Sequence, residues 1–337
     1  MSSASGSFYT QMDGNLIIAP LIAFGLSYAL SWFLVRSKIF GALDYPNTRS
    51  LHTVPIPRTG GVAIVVSILG SWLLLMPSIS LLLWMGLILL ALISLVDDIQ
   101  PLPVFVRLAV HGMAAWAYVI SLLYLPYGGF WVLTVGLALI WVINLFNFMD
   151  GSDGLAAGMA LIGFGAYGVG ALQMTNEIFA AVNFCIAGSV AAFLLFNFYP
   201  ARIFMGDTGS IPLGFLAGAL GVYGWSEGIW SPWFPMLVFS PFLADASVTL
   251  VKRIYQGKRI WDAHRDHYYQ RLVLCGWGHR NTALFAYVLM LIVSAVALSV
   301  MHHNWMIQGM LAAVGYGVFL AAMLVFDCRQ SINSQYD

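Results

Sequence analysis

The sequence predicts an all-α fold: a polytopic integral membrane protein with about eleven transmembrane helices. Three observations predict it. Of 337 residues, 61% are hydrophobic and 8% charged, against roughly a quarter charged in an ordinary soluble domain, and mean hydropathy is +0.86. The apolar residues fall in stretches long enough to cross a bilayer, which takes roughly 20 residues per helix. The charges gather on one side of those stretches. A soluble globular enzyme, a disordered chain and a disulfide-stapled secreted module are thereby excluded. A nucleic-acid binder reliant on a basic surface is excluded with them, whereas the net charge of zero, 14 basic against 14 acidic residues, says nothing about partners. Cys185, Cys275 and Cys328 are too widely spaced to frame disulfides or a clustered zinc site.

Apolar stretches begin near residues 15, 60, 79, 104, 130, 155, 179, 211, 233, 283 and 305. The first follows a short polar tail with no Lys or Arg before Arg36, so the basic region of a cleavable signal peptide is missing. From Gly60 to Val96 the apolar run is divided only by Pro77-Ser78, which predicts a hairpin of two short helices. With eleven spans and the N-terminus outside, all 14 basic residues, from Arg36 to Arg329, fall on one face. Short loops rich in Lys and Arg stay cytoplasmic, so that face and the C-terminus are placed in the cytoplasm. One span more or fewer in the middle would scatter these charges. The opposite face keeps only Asp13, Glu177 and Glu227. The chain reads as one membrane-embedded domain, 1–337, with cytoplasmic loops at 43–59, 97–103, 147–154, 198–210 and 254–282. Asp245, roughly two turns inside its span, is the deepest charged candidate.

Chemistry gathers in these loops. In LDYPNTRSLHTVPIPRTGG, residues 43–61, Pro46, Pro55 and Pro57 break helix. Gly60-Gly61 permit close backbone approach, and Arg49, His52 and Arg58 offer donors to phosphate; the plain alternative is a loop that only sets topology. Asp97-Asp98 end an apolar helix, where two carboxylates are expensive unless paired, hydrated or bound to a cation. Each raises the other's proton affinity, and Arg107 stands near enough in sequence to offset their charge. In NLFNFMDGSDGLA, residues 144–156, Asn144, Asn147, Asp150 and Asp153 recur every third residue and form one polar stripe if helical. Gly151 and Gly154 mark a helix end with a turn. In RIFMGDTGSIPLG, residues 202–214, Asp207 lies between glycines just before a helix, whose first N–H groups suit an anion. Asp207 itself suits a hard cation on the same phosphate. In WDAHRDHYYQRL, residues 261–272, His264, His267 and Arg271 share one helical face at i, i+3 and i+7. A grip on a diphosphate fits them better than zinc with Cys275, which lacks further ligands at suitable spacing.

Asp97-Asp98, Asn-x-x-Asn-x-x-Asp-Gly-x-Asp-Gly at 144–154 and Phe-Met-Gly-Asp-x-Gly-Ser at 204–210 occur in that order at helix ends. The set resembles the polyprenyl-phosphate N-acetylhexosamine-1-phosphate transferases, bacterial glycosyl transferase family 4, over about Leu43 to Arg271. The muramoyl-pentapeptide branch carries three consecutive histidines followed by Phe-Glu. Here His264-Arg-Asp-His267 stands instead, more similar to the enzymes that initiate O-antigen synthesis. The resemblance implies transfer of a HexNAc-1-phosphate, GlcNAc or a deoxy-amino sugar such as FucNAc or QuiNAc, from a UDP-N-acetylhexosamine to undecaprenyl phosphate. UMP is released. This is the initiating step of O-antigen, lipopolysaccharide or related polysaccharide synthesis in the bacterial inner membrane. The alternatives are a phospho-N-acetylmuramoyl-pentapeptide or teichoic-acid-initiating enzyme and, from other classes, a transporter or flippase and a membrane phosphatase.

The resemblance also implies roles. Mg²⁺, with Mn²⁺ substituting, is expected on Asp207. Asp97, Asp98, Asn147 and Asp150 are expected at the catalytic centre, either Asp97 or Asp98 deprotonating or orienting the lipid phosphate. Asp153 is expected to face the nucleotide. His264, His267 and Arg271, with Arg58 and Arg107 behind them, are expected to hold the diphosphate or sugar. The partners are the nucleotide sugar, the polyprenyl phosphate and membrane lipid, and a homodimer is compatible with the pattern.

Overall fold

In a computed structural model, the chain is described over residues 3–37, 43–44, 55–75, 79–259 and 264–333. Arg49, His52, Pro46 and the Pro77-Ser78 divider lie outside the described residues. The architecture is almost wholly helical: α1 (Ser3–Ser37), α2 (Gly60–Trp72, continued by a 3-10 turn to Leu75), α3 (Leu81–Ile99), α4 (Val104–Tyr127), α5 (Gly129–Met149), α6 (Leu155–Gln173) and α7 (Glu177–Asn197). Then come α8 (Asp207–Ser226), α9 (Trp233–Val238), α10 (Ser240–Tyr255), the short α11 (Tyr268–Leu272), α12 (Gly278–Val300) and α13 (Trp305–Asn333). A helix occupies each position where an apolar stretch is expected. Eight helices among the described residues are long and apolar enough to cross a membrane, and Gly60–Leu75 is a shorter apolar one.

The structure departs from expectation, or adds to it, in three places. The stretch near 233 is two helices, broken at Phe239. Pro241 starts α10 because it needs no N–H bond there, and it cannot continue α9. A two-residue antiparallel ladder pairs β1 (Leu43–Asp44) with β2 (Ile56–Pro57), in the loop whose prolines are expected to break helix. The N-terminal tail is helical from Ser3, and its apolar span begins within α1 at Leu16.

The inner helices are poor in charge and rich in small residues. Helix α8 packs on α5, α3, α2, α4 and α6, and it buries almost every residue from Thr208 to Gly221. Ile143 backbone lies against Gly214, so close that a Cβ would meet its Cα at 2.9 Å. Small residues let helices approach where lipid supplies no hydrophobic drive between them. Helices α6 and α7 are largely buried, whereas few residues of α13 are.

Backbone ties bring the start of α2 against the segment before α8. Gly60 N and Gly61 N donate to Phe204 O and Met205 O at 2.9 and 2.8 Å, and Phe204 N donates to Pro57 O at 2.7 Å. A Cβ on Gly61 would lie 2.2 Å from Gly209 N and 2.5 Å from the Thr208 carbonyl carbon. Gly61→Ala therefore forces α2 away from α8, and we expect a loss of about 1–3 kcal/mol. The check is the thermal unfolding midpoint of the detergent-solubilised protein. Gly25→Ala is the control, because nothing lies within 4 Å of that Cβ, and it leaves the midpoint unchanged. Equal midpoints for both variants would contradict the account.

Candidate active site

The C-terminal ends of α3, α5 and α7 meet the N-terminal ends of α2, α4, α6 and α8 at one end of the bundle. Each junction is a polar contact. At the centre lies Asp98, whose side chain is 3% exposed. Its Oδ1 accepts from Asp207 N at 3.1 Å, and its Oδ2 accepts from Thr208 N at 2.9 Å and Thr208 Oγ1 at 2.7 Å. The carboxylate of α3 thus occupies the N-terminus of α8. The sequence assigns those amides to a substrate anion, and the structure corrects this: the anion is Asp98. A buried helix start leaves unpaired N–H groups and the positive end of a dipole, and the apolar neighbours of α3 and α8 offer no other acceptor.

Two arginines flank this cap. Arg58, carried on the segment that pairs with Phe204, sets Nη2 3.2 Å from Asp98 Oδ1 and 3.7 Å from Asp207 Oδ1. Arg107, in the first turn of α4, sets Nη1 2.9 Å from Asp97 Oδ2 and 3.5 Å from Asp207 Oδ2. The expectation that Arg107 offsets the paired acids is met. Asp97 also accepts Leu102 N at 2.6 Å, which turns the chain from α3 into α4. Asn147 Nδ2 donates to Asp207 Oδ1 at 2.7 Å and reaches Ser210 Oγ at 3.2 Å. Asp207 is therefore held by two guanidiniums and an amide, yet its side chain remains 17% exposed, the most open of the three acids.

The polar stripe at 144–153 is not one face. Helix α5 ends at Met149, and Gly154, at φ +73°, turns the chain into α6. Asn147 consequently joins Asp207, while Asn144 bonds its own helix at Ile140 O. Asp153 is carried to the other side of the turn. There its Oδ2 accepts Ala201 N at 3.0 Å and its Oδ1 lies 3.7 Å from His279 Nδ1. Asp150 stands at the helix end beside the ring of Tyr269.

The histidine segment also departs from its predicted helix. Among its described residues only 268–272 are helical, and His267 precedes them in extended geometry (φ −61°, ψ 142°), so the i, i+3, i+7 face does not form. The helix starts late because Asp245 of α10 accepts Tyr268 N and Tyr269 N, both at 2.9 Å. His264 and His267 nonetheless meet, ring centroids 4.9 Å apart. Burial, His267 and Arg253 hold the His264 imidazole down to about 4, so it is neutral at neutral pH. Asp262 lies outside the described residues. Arg271 points to the last helix, with Nη1 2.6 Å from Asp327 Oδ1. The segment joins the rest of the site through Tyr269, whose hydroxyl donates to Phe148 O at 3.0 Å and fills the space beside Gly151.

Sequence reasoning missed His279 and Asn197. His279 contacts Ser152 Oγ at 2.9 Å and stacks on Tyr199; nothing in its sequence setting separates it from Arg280. Asn197 accepts Gly154 N at 3.1 Å and donates to Ile203 O at 2.9 Å. An amide ending an apolar run was a legible signal for it.

Among the described residues, no group of three His, Cys, Asp or Glu side chains is arranged to hold a metal ion alone. One accessible carboxylate at an anion-rich helix end fits the other kind of site, in which Mg²⁺ takes one or two carboxylates and completes its shell with phosphate oxygens and water.

A membrane bundle with this cluster of acids and arginines at one end fits the class of enzyme that works on phosphates at a bilayer surface. The comparisons agree with that class. The family model described as glycosyl transferase family 4 matches residues 80–224. A probable undecaprenyl-phosphate N-acetylglucosaminyl 1-phosphate transferase of Bacillus subtilis is 28% identical, over 87% of this chain and 83% of that protein. The decaprenyl-phosphate N-acetylglucosaminephosphotransferase of Mycolicibacterium smegmatis is 30% identical, over 81% and 79%. The phospho-N-acetylmuramoyl-pentapeptide-transferase of Moorella thermoacetica is 32% identical, over 84% and 96%. The chain belongs to glycosyl transferase family 4, the polyprenyl-phosphate N-acetylhexosamine-1-phosphate transferases.

Asp98→Ala leaves two buried amides and the Thr208 hydroxyl without their acceptor and removes the nearer of the two carboxylates beside Arg58. We expect it to cost about 2–3 kcal/mol, read as a drop of several degrees in the unfolding midpoint in detergent. Asp97→Ala, which frees the Leu102 amide at a helix end and leaves the half-exposed Arg107 to Asp207, should cost less. The reverse order would contradict the capping role.

Proposed function

We propose that this chain transfers N-acetylhexosamine-1-phosphate from a UDP-sugar to polyprenyl phosphate, forming a polyprenyl-diphospho-sugar and UMP. The observation that carries this reading is Asp207, held open between Arg58, Arg107 and Asn147 at the membrane-bundle end. The names of the relatives supply the reactants: both the Bacillus and the Mycolicibacterium proteins are named for N-acetylglucosamine transfer to a polyprenyl phosphate. UDP-GlcNAc is accordingly the first donor to test, with UDP-linked deoxy-amino sugars next. The product would begin O-antigen or a related surface polysaccharide. Placement of the site on the cytoplasmic face of the plasma membrane, with the N-terminus outside, follows from the sidedness of the basic residues.

The lipid phosphate is attacking group and anion at once, so the residues must first neutralise charge. Arg58 and Arg107 do this from two sides, and Asn147 fixes the direction of the Asp207 carboxylate. A phosphate oxygen of the lipid forms a bond to the β-phosphorus of the donor while the bond to the bridging oxygen of UMP breaks. Asp97 is the acid we assign to receive or orient the lipid phosphate proton, because Asp98 is committed to the start of α8. Mg²⁺ on Asp207 would polarise the diphosphate and steady the departing UMP, with Mn²⁺ able to replace it. His264 and His267 flank the diphosphate or sugar, and Asp153 borders the nucleotide.

Purified protein in detergent, given Mg²⁺, polyprenyl phosphate and a panel of UDP-sugars, should release UMP with UDP-GlcNAc or a related acetamido sugar. UDP-N-acetylmuramoyl-pentapeptide is the contrasting donor, and activity with it alone would overturn the sugar reading. Asp207→Asn should lower Mg²⁺-dependent transfer by roughly a hundredfold or more while the protein stays folded; full activity would sink the metal assignment. A direct displacement also requires that labelled UMP not exchange into UDP-GlcNAc without lipid phosphate. Exchange in its absence would show a covalent intermediate instead.

A further inference from the structure

We propose that Asp245 is a positioning residue that fixes the tautomer and orientation of His267, and through it the placement of the histidine pair. Asp245 lies in α10 and is 5% exposed. A carboxylate at that depth is costly unless every lone pair finds a donor. Its Oδ1 accepts Tyr268 N at 2.9 Å and Thr249 Oγ1 at 3.2 Å, and lies 3.3 Å from His267 Nδ1; its Oδ2 accepts Tyr269 N at 2.9 Å. An ionised carboxylate only accepts, so the hydrogen it orders on the ring sits on His267 Nδ1; in a neutral imidazole that leaves Nε2 as an acceptor. The ring cannot rotate freely, because it stacks on Phe148 at 6.1 Å and on Tyr269 at 5.9 Å.

His264 is set the opposite way. Its Nδ1 accepts Asp266 N at 3.2 Å, so the neutral ring carries its hydrogen on Nε2 and is a donor. Its lowered proton affinity keeps it in that neutral form. The two rings, with centroids 4.9 Å apart, are thus set to opposite tautomers. Asp245 fixes one member directly and sets where the chain between them ends, by capping the backbone at Tyr268 and Tyr269. Arg253 pairs with Asp266 and braces the same stretch from the end of α10. A carboxylate behind a histidine commonly sets its tautomer, and losing such a support typically costs about ten- to a hundredfold in activity.

The catalytic consequence rests on the transfer reading above, whereas the tautomer does not. The test uses the full-length protein, labelled with ¹⁵N-histidine, in lipid nanodiscs without substrate. The His267 signal is identified by its loss in His267→Gln. In the wild type it should show the Nδ1-protonated pattern, and in Asp245→Asn that pattern should be lost. Asp245→Glu, which keeps the carboxylate, should retain it at least in part. In the UDP-GlcNAc assay, kcat of Asp245→Asn should fall roughly ten- to a hundredfold, with KM for the donor within about twofold of the wild type. An Nε2-protonated His267 in the wild type overturns the proposal, even should Asp245→Asn fail to accumulate. So does an unchanged His267 signal or an unchanged kcat in Asp245→Asn. If the wild type turns over no UDP-sugar with polyprenyl phosphate, the transfer reading fails, and the nitrogen spectra still decide the role of Asp245.

Discussion

The contact on which the site depends is the Asp98 carboxylate against the first two amides of α8. A helix that begins inside an apolar bundle brings unpaired N–H groups and a partial positive charge with it. In water these would be hydrated; here α3 supplies the anion. The same bond locks two helices together and places Asp207, since the residue whose amide is held is the one whose side chain opens outward. The glycine contact of α2 with α8 then brings Arg58 to the cluster, and the turn from α3 to α4 brings Arg107. Three carboxylates face two guanidiniums, a balance that favours a further cation when anionic phosphates arrive.

Asp245 repeats the arrangement at the other side of the site. A buried carboxylate again ends on the amides of a helix start, here α11, and in this case holds the residue before it, His267. The two halves meet where Tyr269 bonds Phe148 O, one residue from Asn147. Histidine segment and acid cluster are therefore one assembly rather than two loops that happen to be near.

Much of this was legible in the sequence because hydrophobic length and charge sidedness are strong signals in a membrane chain. The positions of the helices and the role of Arg107 beside the paired acids follow from apolar runs ending in acids, whereas the meeting of Asp97, Asp98, Asn147 and Asp207 at one centre was implied by the family resemblance. What sequence could not supply was direction. Asn147 and Asp153 share a period of three, but the helix ends between them, so they face different partners. His264, His267 and Arg271 have helical spacing, yet the helix starts after His267, because a carboxylate 22 residues earlier caps it there. Arg271 turns instead to Asp327, more than 50 residues away, a pairing to which no local pattern points. The anion at the start of α8 was foreseen in kind and mistaken in source.

The central claim is that Asp207, presented by the Asp98-capped start of α8, is where metal and donor diphosphate meet. Anomalous scattering from Mn²⁺ in crystals of the protein grown with UDP-GlcNAc tests it most directly. The account predicts a single strong peak bonded to an Asp207 carboxylate oxygen and to the donor diphosphate, with Arg58 and Arg107 alongside. A peak on His264 and His267 instead, or a donor seated in the cluster with its metal remote from Asp207, would contradict it.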